Sequence, residues 1–221
     1  MSISQNLRNI KSSLPETVTL VAVSKFHPVE ALQEAYDAGQ RVFGESRVQE
    51  LIAKQPNLPH DIEWHFIGTL QKNKVKYIAS FIHTIQSIDS MELLKEVDKQ
   101  AAKNNRTIRV LIEVHIAMES SKHGFSIEEC RMLFQEKQFA PYSNICIAGL
   151  MGMGTFTNDA HQTEKEFQSL QKLSDELKHS GFVNESFTEL SMGMSDDYLI
   201  AIQHGSTMIR IGTSIFGGRV Y

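Results

Sequence analysis

The chain has 221 residues, of which 41% are hydrophobic and 22% charged, as in an ordinary globular domain. Its net charge of −4 offers no basic field, so we expect neither a nucleic acid nor a membrane as a partner. We find no membrane-spanning apolar run, no signal-peptide pattern, and too few cysteines for a disulfide framework or a zinc site. We therefore expect a reduced, cytoplasmic protein, and a monomer.

Predicted strands and helices alternate along the whole chain. Residues 2–14 carry apolar side chains at helical spacing and predict a leading helix. The first strand, at 17–24, is followed by a helix that Pro28 opens and Gly39 closes. Further strands are predicted at 40–44, 62–67, 84–88, 108–116, 144–151, 187–192 and 207–211. Further helices are predicted at 47–54, 73–80 and 160–179 and from a Ser195 cap to Gln203, together with helices that begin at Ser90 and Ser126 and a short one near Thr213.

This alternation predicts the fold class. Regular strand–helix repeats favour parallel strands joined by right-handed crossovers. Eight such units in about 200 residues fit a compact (β/α)8 barrel of the TIM type, here with an extra N-terminal helix. Because no linker interrupts the series, we place residues 1–221 in a single α/β domain. The alternative is an open, doubly wound sheet, which the regular count disfavours.

The residues from Val18 to Lys25 form an apolar, β-branched run that ends abruptly in a lysine. Such a run is typical of a strand buried on both faces, and α/β proteins bind ligands at the carboxyl ends of their strands. We expect burial to favour the neutral amine of Lys25, which can form a Schiff base with an aldehyde. The alternative is that Lys25 only marks the strand end and reaches solvent.

The loops after the last two strands carry the parts of a phosphate site. Barrels often bind phosphate with these two loops and the start of a short helix. Ser195 offers a hydroxyl and a helix-start amide, and Gly212 and Thr213 offer amides and a second hydroxyl. Asp196 and Asp197 weigh against this interpretation unless they point outward. The alternative is that these residues only cap helices.

An aldehyde-trapping lysine and a phosphate site would be neighbours in a closed barrel. A phosphorylated aldehyde fits both, so the candidates are pyridoxal 5′-phosphate and phosphosugar aldehydes. The nine histidines show no metal spacing, so we predict no metal, and His65 is interpreted as a core histidine. Glu45 is interpreted as a cap or an arginine partner rather than as a general acid.

A series of motifs runs from the first strand to the last helix, at 22–25, 43–45, 48–50, 64–68, 70–74, 119–124, 149–151, 190–195 and 210–219. In this order they resemble the motifs of the pyridoxal phosphate homeostasis protein family, which resembles the barrel domain of alanine racemase, and the resemblance covers nearly the whole chain. It implies that Lys25 holds pyridoxal phosphate as an internal aldimine and that Ser195, Gly212 and Thr213 bind the cofactor phosphate. It also implies that Met194 contacts the cofactor and that Arg210 faces the pyridine nitrogen.

The chain departs from the family pattern at two places. Ser46 and Arg47 stand where the family usually has Asn-Tyr, and His115 stands where it usually has Asn. Both places are at predicted strand ends, near the expected mouth of the pocket. The lysine and the phosphate-binding residues match the pattern.

The resemblance implies a protein of pyridoxal phosphate homeostasis that holds the cofactor without catalysis and passes it to apo-enzymes. The first alternative is an amino-acid racemase, and the second is a Schiff-base aldolase acting on a sugar phosphate. A racemase needs an acid or base opposite the lysine, which alanine racemase takes from a second domain. We expect none here, because the chain ends at Tyr221 and carries Met153 and Met194 at strand-end loops. We therefore predict no catalytic residue.

Overall fold

The computed structural model describes residues 2–118 and 123–218, and eight parallel strands of this part close into a barrel in sequential order. The predicted (β/α)8 fold is confirmed, and the N-terminal helix is present. The motif residues 119–122 and 219 lie outside the described residues. The strands are β1 (Thr19–Val23), β2 (Val42–Glu45), β3 (Glu63–Phe66), β4 (Thr84–Ile88), β5 (Ile108–His115), β6 (Ile145–Met153), β7 (Glu189–Ser191) and β8 (Met208–Ile211).

The helices follow the strands on the outside of the barrel. Some of them begin where a short polar side chain accepts a hydrogen bond from a free amide of the first turn, as Ser90 does for Leu93 and Ser126 does for Glu129. The α-helices are α1 (Ile3–Ser12), α2 (Val29–Asp37), α3 (Val48–Lys54), α4 (Met91–Lys103), α5 (Ile127–Gln135), α6 (Ala160–Ser180), α7 (Tyr198–Gln203) and α8 (Thr213–Phe216).

Two helix predictions need correction. The segment after β3 is a 3-10 helix, Lys72–Tyr77, rather than an α-helix. Its apolar anchors Val75 and Ile78 are buried and three residues apart, which matches the 3-10 repeat. Pro28 is the N-cap of α2 and not its first helical residue, because its ψ of 164° is extended. The strand predictions differ from the observed strands only at their ends.

The extra helix α1 lies against α2 and α8. The Ser2 hydroxyl caps it by accepting from the Gln5 amide, and Leu7 and Ile10 are buried on its inner face. The Asn6 side chain donates to the Ile215 carbonyl at 2.9 Å, which joins the first helix to the last. This contact packs the N-terminal helix beside the loop that follows β8.

The interior of the barrel is partly polar. The large hydrophobic cluster includes residues of both strands and helices, whereas a small second cluster contains Val21, Leu111, Ala148, Met151 and Met208. Buried polar side chains accompany this second cluster, and several of them bond to one another across the barrel. They include His65, Gln86, Ser191 and Arg210.

Among the described residues, no helix has both the length and the apolar character that are needed to cross a membrane.

Candidate cofactor site

Lys25 lies at the carboxyl end of the barrel, two residues after β1, and it is half-buried. The Ser24 amide donates to the Gly44 carbonyl at 3.0 Å and so continues the pairing with β2. Phe26 has a φ of 70°, which is unusual for a bulky residue. Its amide donates to Glu50 Oε1 at 2.5 Å. The turn that carries Lys25 is therefore held on both sides by hydrogen bonds.

Lys54 forms a buried charge network beneath this turn. Its ammonium donates to the Ser24 carbonyl at 2.9 Å, to Glu45 Oε1 at 2.7 Å and to Glu50 Oε1 at 2.6 Å. Three bonds use all the donors that an ammonium has. Burial raises the pKa of Glu45, and the charge of Lys54 opposes that shift. The expected arginine partner of Glu45 is wrong, because α3 brings Lys54 back over the end of β2 instead.

The loops after β7 and β8 lie next to each other and next to β1. The Arg210 amide donates to the Gly193 carbonyl at 3.0 Å, which joins the two loops. Ile211 pairs with Ala22, so Gly212 lies beside Val23. A Cβ atom at Gly212 would lie 3.2 Å from the Val23 carbonyl oxygen, so a side chain there would require a shift of a few tenths of an ångström. The predicted residues of strands one, seven and eight therefore meet at one end of the barrel.

Ser195 does not cap a helix, contrary to the sequence prediction. Helix α7 begins at Tyr198 with Asp197 as its N-cap, and Ser195 lies in the turn before it. The Met194 amide donates to Asp197 Oδ1 at 2.5 Å, and the Met194 carbonyl accepts from the amides of Asp197 and Tyr198. Asp197 thus points back into the turn rather than outward. The Ser195 and Thr213 hydroxyls make no hydrogen bond to another group within residues 2–118 and 123–218.

Arg210 lies inside the barrel and is only 4% exposed. Its Nη1 donates to the Ser191 hydroxyl at 2.6 Å and its Nη2 to the Gly152 carbonyl at 3.0 Å. Burial lowers its pKa to about 10, while the charges of Asp197 and Glu113 oppose the shift. The guanidinium therefore remains charged at neutral pH and can only donate hydrogen bonds.

Known proteins share this architecture and much of this sequence. The family model described as "Alanine racemase, N-terminal domain" matches residues 1–220. The pyridoxal phosphate homeostasis protein of Pasteurella multocida is 40% identical over 100% of this chain and 99% of its own length. The human protein of the same name is 38% identical over 91% of this chain and 77% of its own length. The chain belongs to the pyridoxal phosphate homeostasis protein family.

Solved structures agree with this family assignment. PipY of Synechococcus elongatus, solved with pyridoxal phosphate bound, is 36% identical, with a TM-score of 0.88 over 98% of this chain and 100% of PipY. Alanine racemase of Clostridium difficile has a TM-score of 0.80 at 17% identity, and this chain covers 56% of it. At 17% identity, the similarity to alanine racemase shows a shared fold and nothing about function.

Both departures from the pattern of the pyridoxal phosphate homeostasis proteins lie near the site. The Arg47 guanidinium lies 4.7 Å from the centre of the Phe26 ring, so it packs on the turn that carries Lys25. Such a contact is worth about 0.5–1 kcal/mol at an exposed site. His115 is the last residue of β5, and its amide donates to the Phe125 carbonyl at 2.8 Å.

Glu113 is a candidate functional residue that the sequence analysis missed. It lies inside the barrel near the end of β5 and is 5% exposed. Its pKa is raised to about 7, chiefly by burial and also by the charge of Asp89, while the charge of Arg210 opposes the shift. The available signal was a single acid within the β-branched strand β5. A carboxyl group with this pKa can accept or donate a proton near neutral pH.

Proposed function

We propose that this protein binds pyridoxal 5′-phosphate covalently on Lys25 and acts in pyridoxal phosphate homeostasis without significant catalysis. The observation that carries the proposal is the meeting of the Lys25 turn with the Gly193 and Gly212 turns at one end of the barrel. The presence of the cofactor in PipY, a relative of similar length, supports it. Pyridoxal phosphate supplies an aldehyde that reacts with a lysine and a ring that can withdraw electrons.

Several residues near Lys25 fit the phosphate group. The carboxylate of Asp197, which points into the Ser195 turn, opposes a phosphate there, and the charge of the Arg210 guanidinium offsets it. The Ser195 and Thr213 hydroxyls face no competing partner among the described residues, and the missing side chain of Gly212 leaves its backbone open to a close approach. The Met194 amide is already taken by Asp197, so Met194 would border the cofactor with its side chain, which is 37% exposed. We assign the phosphate to Ser195, Gly212 and Thr213.

We infer that Arg210 limits the chemistry of the bound cofactor. We assign its guanidinium to the ring nitrogen of the cofactor, to which it can only donate a hydrogen bond. A ring nitrogen that accepts a hydrogen bond from arginine remains unprotonated. A pyridine ring with an unprotonated nitrogen withdraws electrons only weakly. Holding the reactive aldehyde, and passing it to cytoplasmic apo-enzymes that need it, then becomes the function that the site suits best.

Lys25→Ala should abolish reducible attachment of the cofactor. Borohydride added to the protein loaded with pyridoxal phosphate should fix one cofactor, and peptide mass analysis should place it on Lys25. The Lys76→Ala variant is a control, because Lys76 is an exposed lysine far along the chain. Equal labelling of the Lys25→Ala variant would refute the assignment.

The racemase alternative has one observation in its favour, the buried carboxyl of Glu113 with its pKa near 7. The same loaded protein decides between the two functions when it is incubated with alanine in deuterium oxide. We expect no significant exchange of the α-proton, because Arg210 leaves the ring a weak electron sink. Rapid exchange that disappears in Lys25→Ala and in Glu113→Gln would establish the racemase instead.

Replacing Ser195 and Thr213 together by alanine should weaken phosphate recognition. A hydrogen bond to a charged group is worth roughly 1.5–3 kcal/mol, so we expect the Kd for pyridoxal phosphate to rise about ten-fold or more. The Kd for unphosphorylated pyridoxal should hardly change. Ser214→Ala serves as a control, since Ser214 is the exposed hydroxyl next to Thr213. An equal rise in Kd for pyridoxal phosphate and for pyridoxal would show that Ser195 and Thr213 do not bind the phosphate.

A further inference from the structure

A second cluster of polar side chains lies at the amino ends of the strands, opposite the Lys25 end of the barrel. Glu63 and His65 belong to β3, and His83 directly precedes β4. One ligand atom from each of the three lies within 4.8 Å of the others. The two imidazole rings are parallel, with centroids 5.5 Å apart. A cavity of about 230 Å³ opens beside them.

His65 carries a buried nitrogen without a partner. The residue is 2% exposed, and its Nδ1 lies 2.9 Å from Gln86 Nε2. Its Nε2 is buried and makes no hydrogen bond within the described residues. A buried polar atom without a partner destabilises the fold, because it has lost its hydrogen bond to water. An atom bound to His65 Nε2 would therefore remove this destabilisation.

His83 and Glu63 can move toward such an atom. His83 Nε2 lies 3.8 Å from Glu63 Oε2, and their side chains are 39% and 50% exposed. His83 Nδ1 lies 2.9 Å from the Thr84 hydroxyl, which leaves Nε2 as its free ligand atom. One ligand is thus fixed in the barrel by Gln86, and two others are at the surface.

The charges around the cavity favour a cation. Its lining includes the carboxylates of Glu63 and Glu189 and the guanidinium of Arg109, which gives a net charge of −1 with neutral histidines. Arg109 is paired with Glu189 at 3.2 Å. Arg106 adds a positive charge near His83 from outside the cavity, and its guanidinium donates to the Ala79 carbonyl at 2.8 Å.

We propose that Glu63, His65 and His83 bind a divalent transition metal ion of the zinc type. Two imidazoles and a carboxylate form a common zinc ligand set, in which a water or a solute takes the fourth position. Such nitrogen-rich sites disfavour Mg²⁺ and Ca²⁺, which prefer oxygen ligands. Since zinc lies about 2 Å from each ligand atom, the exposed His83 and Glu63 side chains close around His65 Nε2.

Gln86 positions the fixed ligand. Ligation through His65 Nε2 places the ring proton on Nδ1, so the Gln86 amide turns its oxygen toward that proton. In that orientation Gln86 Nε2 faces the Ser191 hydroxyl and can donate to it, in place of the bond that the hydroxyl otherwise donates to Gln86 Oε1, while Arg210 Nη1 still donates to Ser191. Partners that orient a metal-bound histidine typically contribute about 10- to 100-fold in metal affinity. We expect Gln86→Leu to raise the Kd for zinc within that range.

The test uses the full-length protein without a histidine tag. Titration with Zn²⁺ at neutral pH should show one tightly bound equivalent, and Mg²⁺ should not compete for it. Glu63→Gln and His83→Ala should each raise the Kd for Zn²⁺ by more than about 100-fold, which exceeds the loss of an orienting partner. Both positions are partly exposed, so we expect these variants to keep their fold, and a thermal melt verifies this.

A matched control exists on α6. His161 Nδ1 lies 3.7 Å from Glu164 Oε2, a pair as close as that of His83 and Glu63 but without a third ligand. His161→Ala should bind Zn²⁺ as the parent protein does. Co²⁺ bound in place of zinc should give the visible absorption of a tetrahedral site, and His83→Ala should lose it. No tight equivalent in the parent protein, or unchanged binding in Glu63→Gln and His83→Ala, would overturn the proposal.

Discussion

Replacing Lys54 by methionine should lower the free energy of unfolding by about 3–5 kcal/mol, the usual cost of removing one partner from a buried ion pair. The Lys54 side chain is 7% exposed and that of Glu45 is fully buried. Without the ammonium, the Ser24 hydroxyl at 2.7 Å is the only hydrogen-bond donor left to the Glu45 carboxylate among the described residues. Urea unfolding at neutral pH measures the loss.

An exposed ion pair provides the control for this prediction. Lys99 lies 3.3 Å from Glu96 on the surface of α4, with its side chain 59% exposed. Such pairs are worth at most about 1 kcal/mol, so Lys99→Met should change the stability little. Adding Glu45→Gln to Lys54→Met should recover part of the loss, because it removes the unpaired charge. A Lys54→Met loss no larger than that of Lys99→Met would show that the network contributes nothing.

Glu113→Gln should stabilise the protein increasingly as the pH rises from about 5 to about 8. The folded-state pKa of Glu113, about 7, is above its ordinary value of 4.5, because the carboxylate is buried. The folded protein therefore binds this proton more tightly than the unfolded chain, and ionisation costs stability as the pH rises through that interval. A difference of about 2.5 pKa units corresponds to roughly 3 kcal/mol at pH 8. The variant carries no such charge, so its stability should lack this decline.

The measurement is the free energy of unfolding of both proteins at several pH values. Near pH 4.5 the two should differ least, since Glu113 is then protonated in the folded protein. Glu92→Gln, at an exposed position in the first turn of α4, controls for the change in net charge. A constant difference between Glu113→Gln and the parent across the pH range would contradict the raised pKa.

Local sequence patterns were sufficient for the barrel and for the position of Lys25. Alternation of strands and helices implies parallel pairing, and parallel strands direct all their carboxyl ends to one end of the barrel. Lys25, Arg210 and Gly212 could therefore be placed together from strand ends alone. Ser195 was placed in the correct loop, but its capping role was wrong, because Asp197 accepts from the Met194 amide and the helix starts only at Tyr198.

The ion pairs inside the barrel could not be predicted from the spacing of charged residues along the sequence. Glu50 and Lys54 are four residues apart on a helix, and this separation is a recognisable pairing signal. Glu45 and Lys54 have no such signal, because their contact depends on how α3 folds back over β2. Glu63, His65 and His83 are brought together only by the pairing of β3 with β4, so no motif marks them as a cluster.

The sequence by itself determined the (β/α)8 fold, the family and the strand end that carries Lys25, because these follow from periodicity and from motifs in order. The tertiary structure alone decided which polar groups are buried and which hydrogen-bond or ion-pair partners they have. Glu113 is an ordinary glutamate in the sequence, and its raised pKa arises from burial inside the barrel beside Arg210. Burial and long-range contact set the free energy of a charge, and neither is a property of neighbouring residues in the chain.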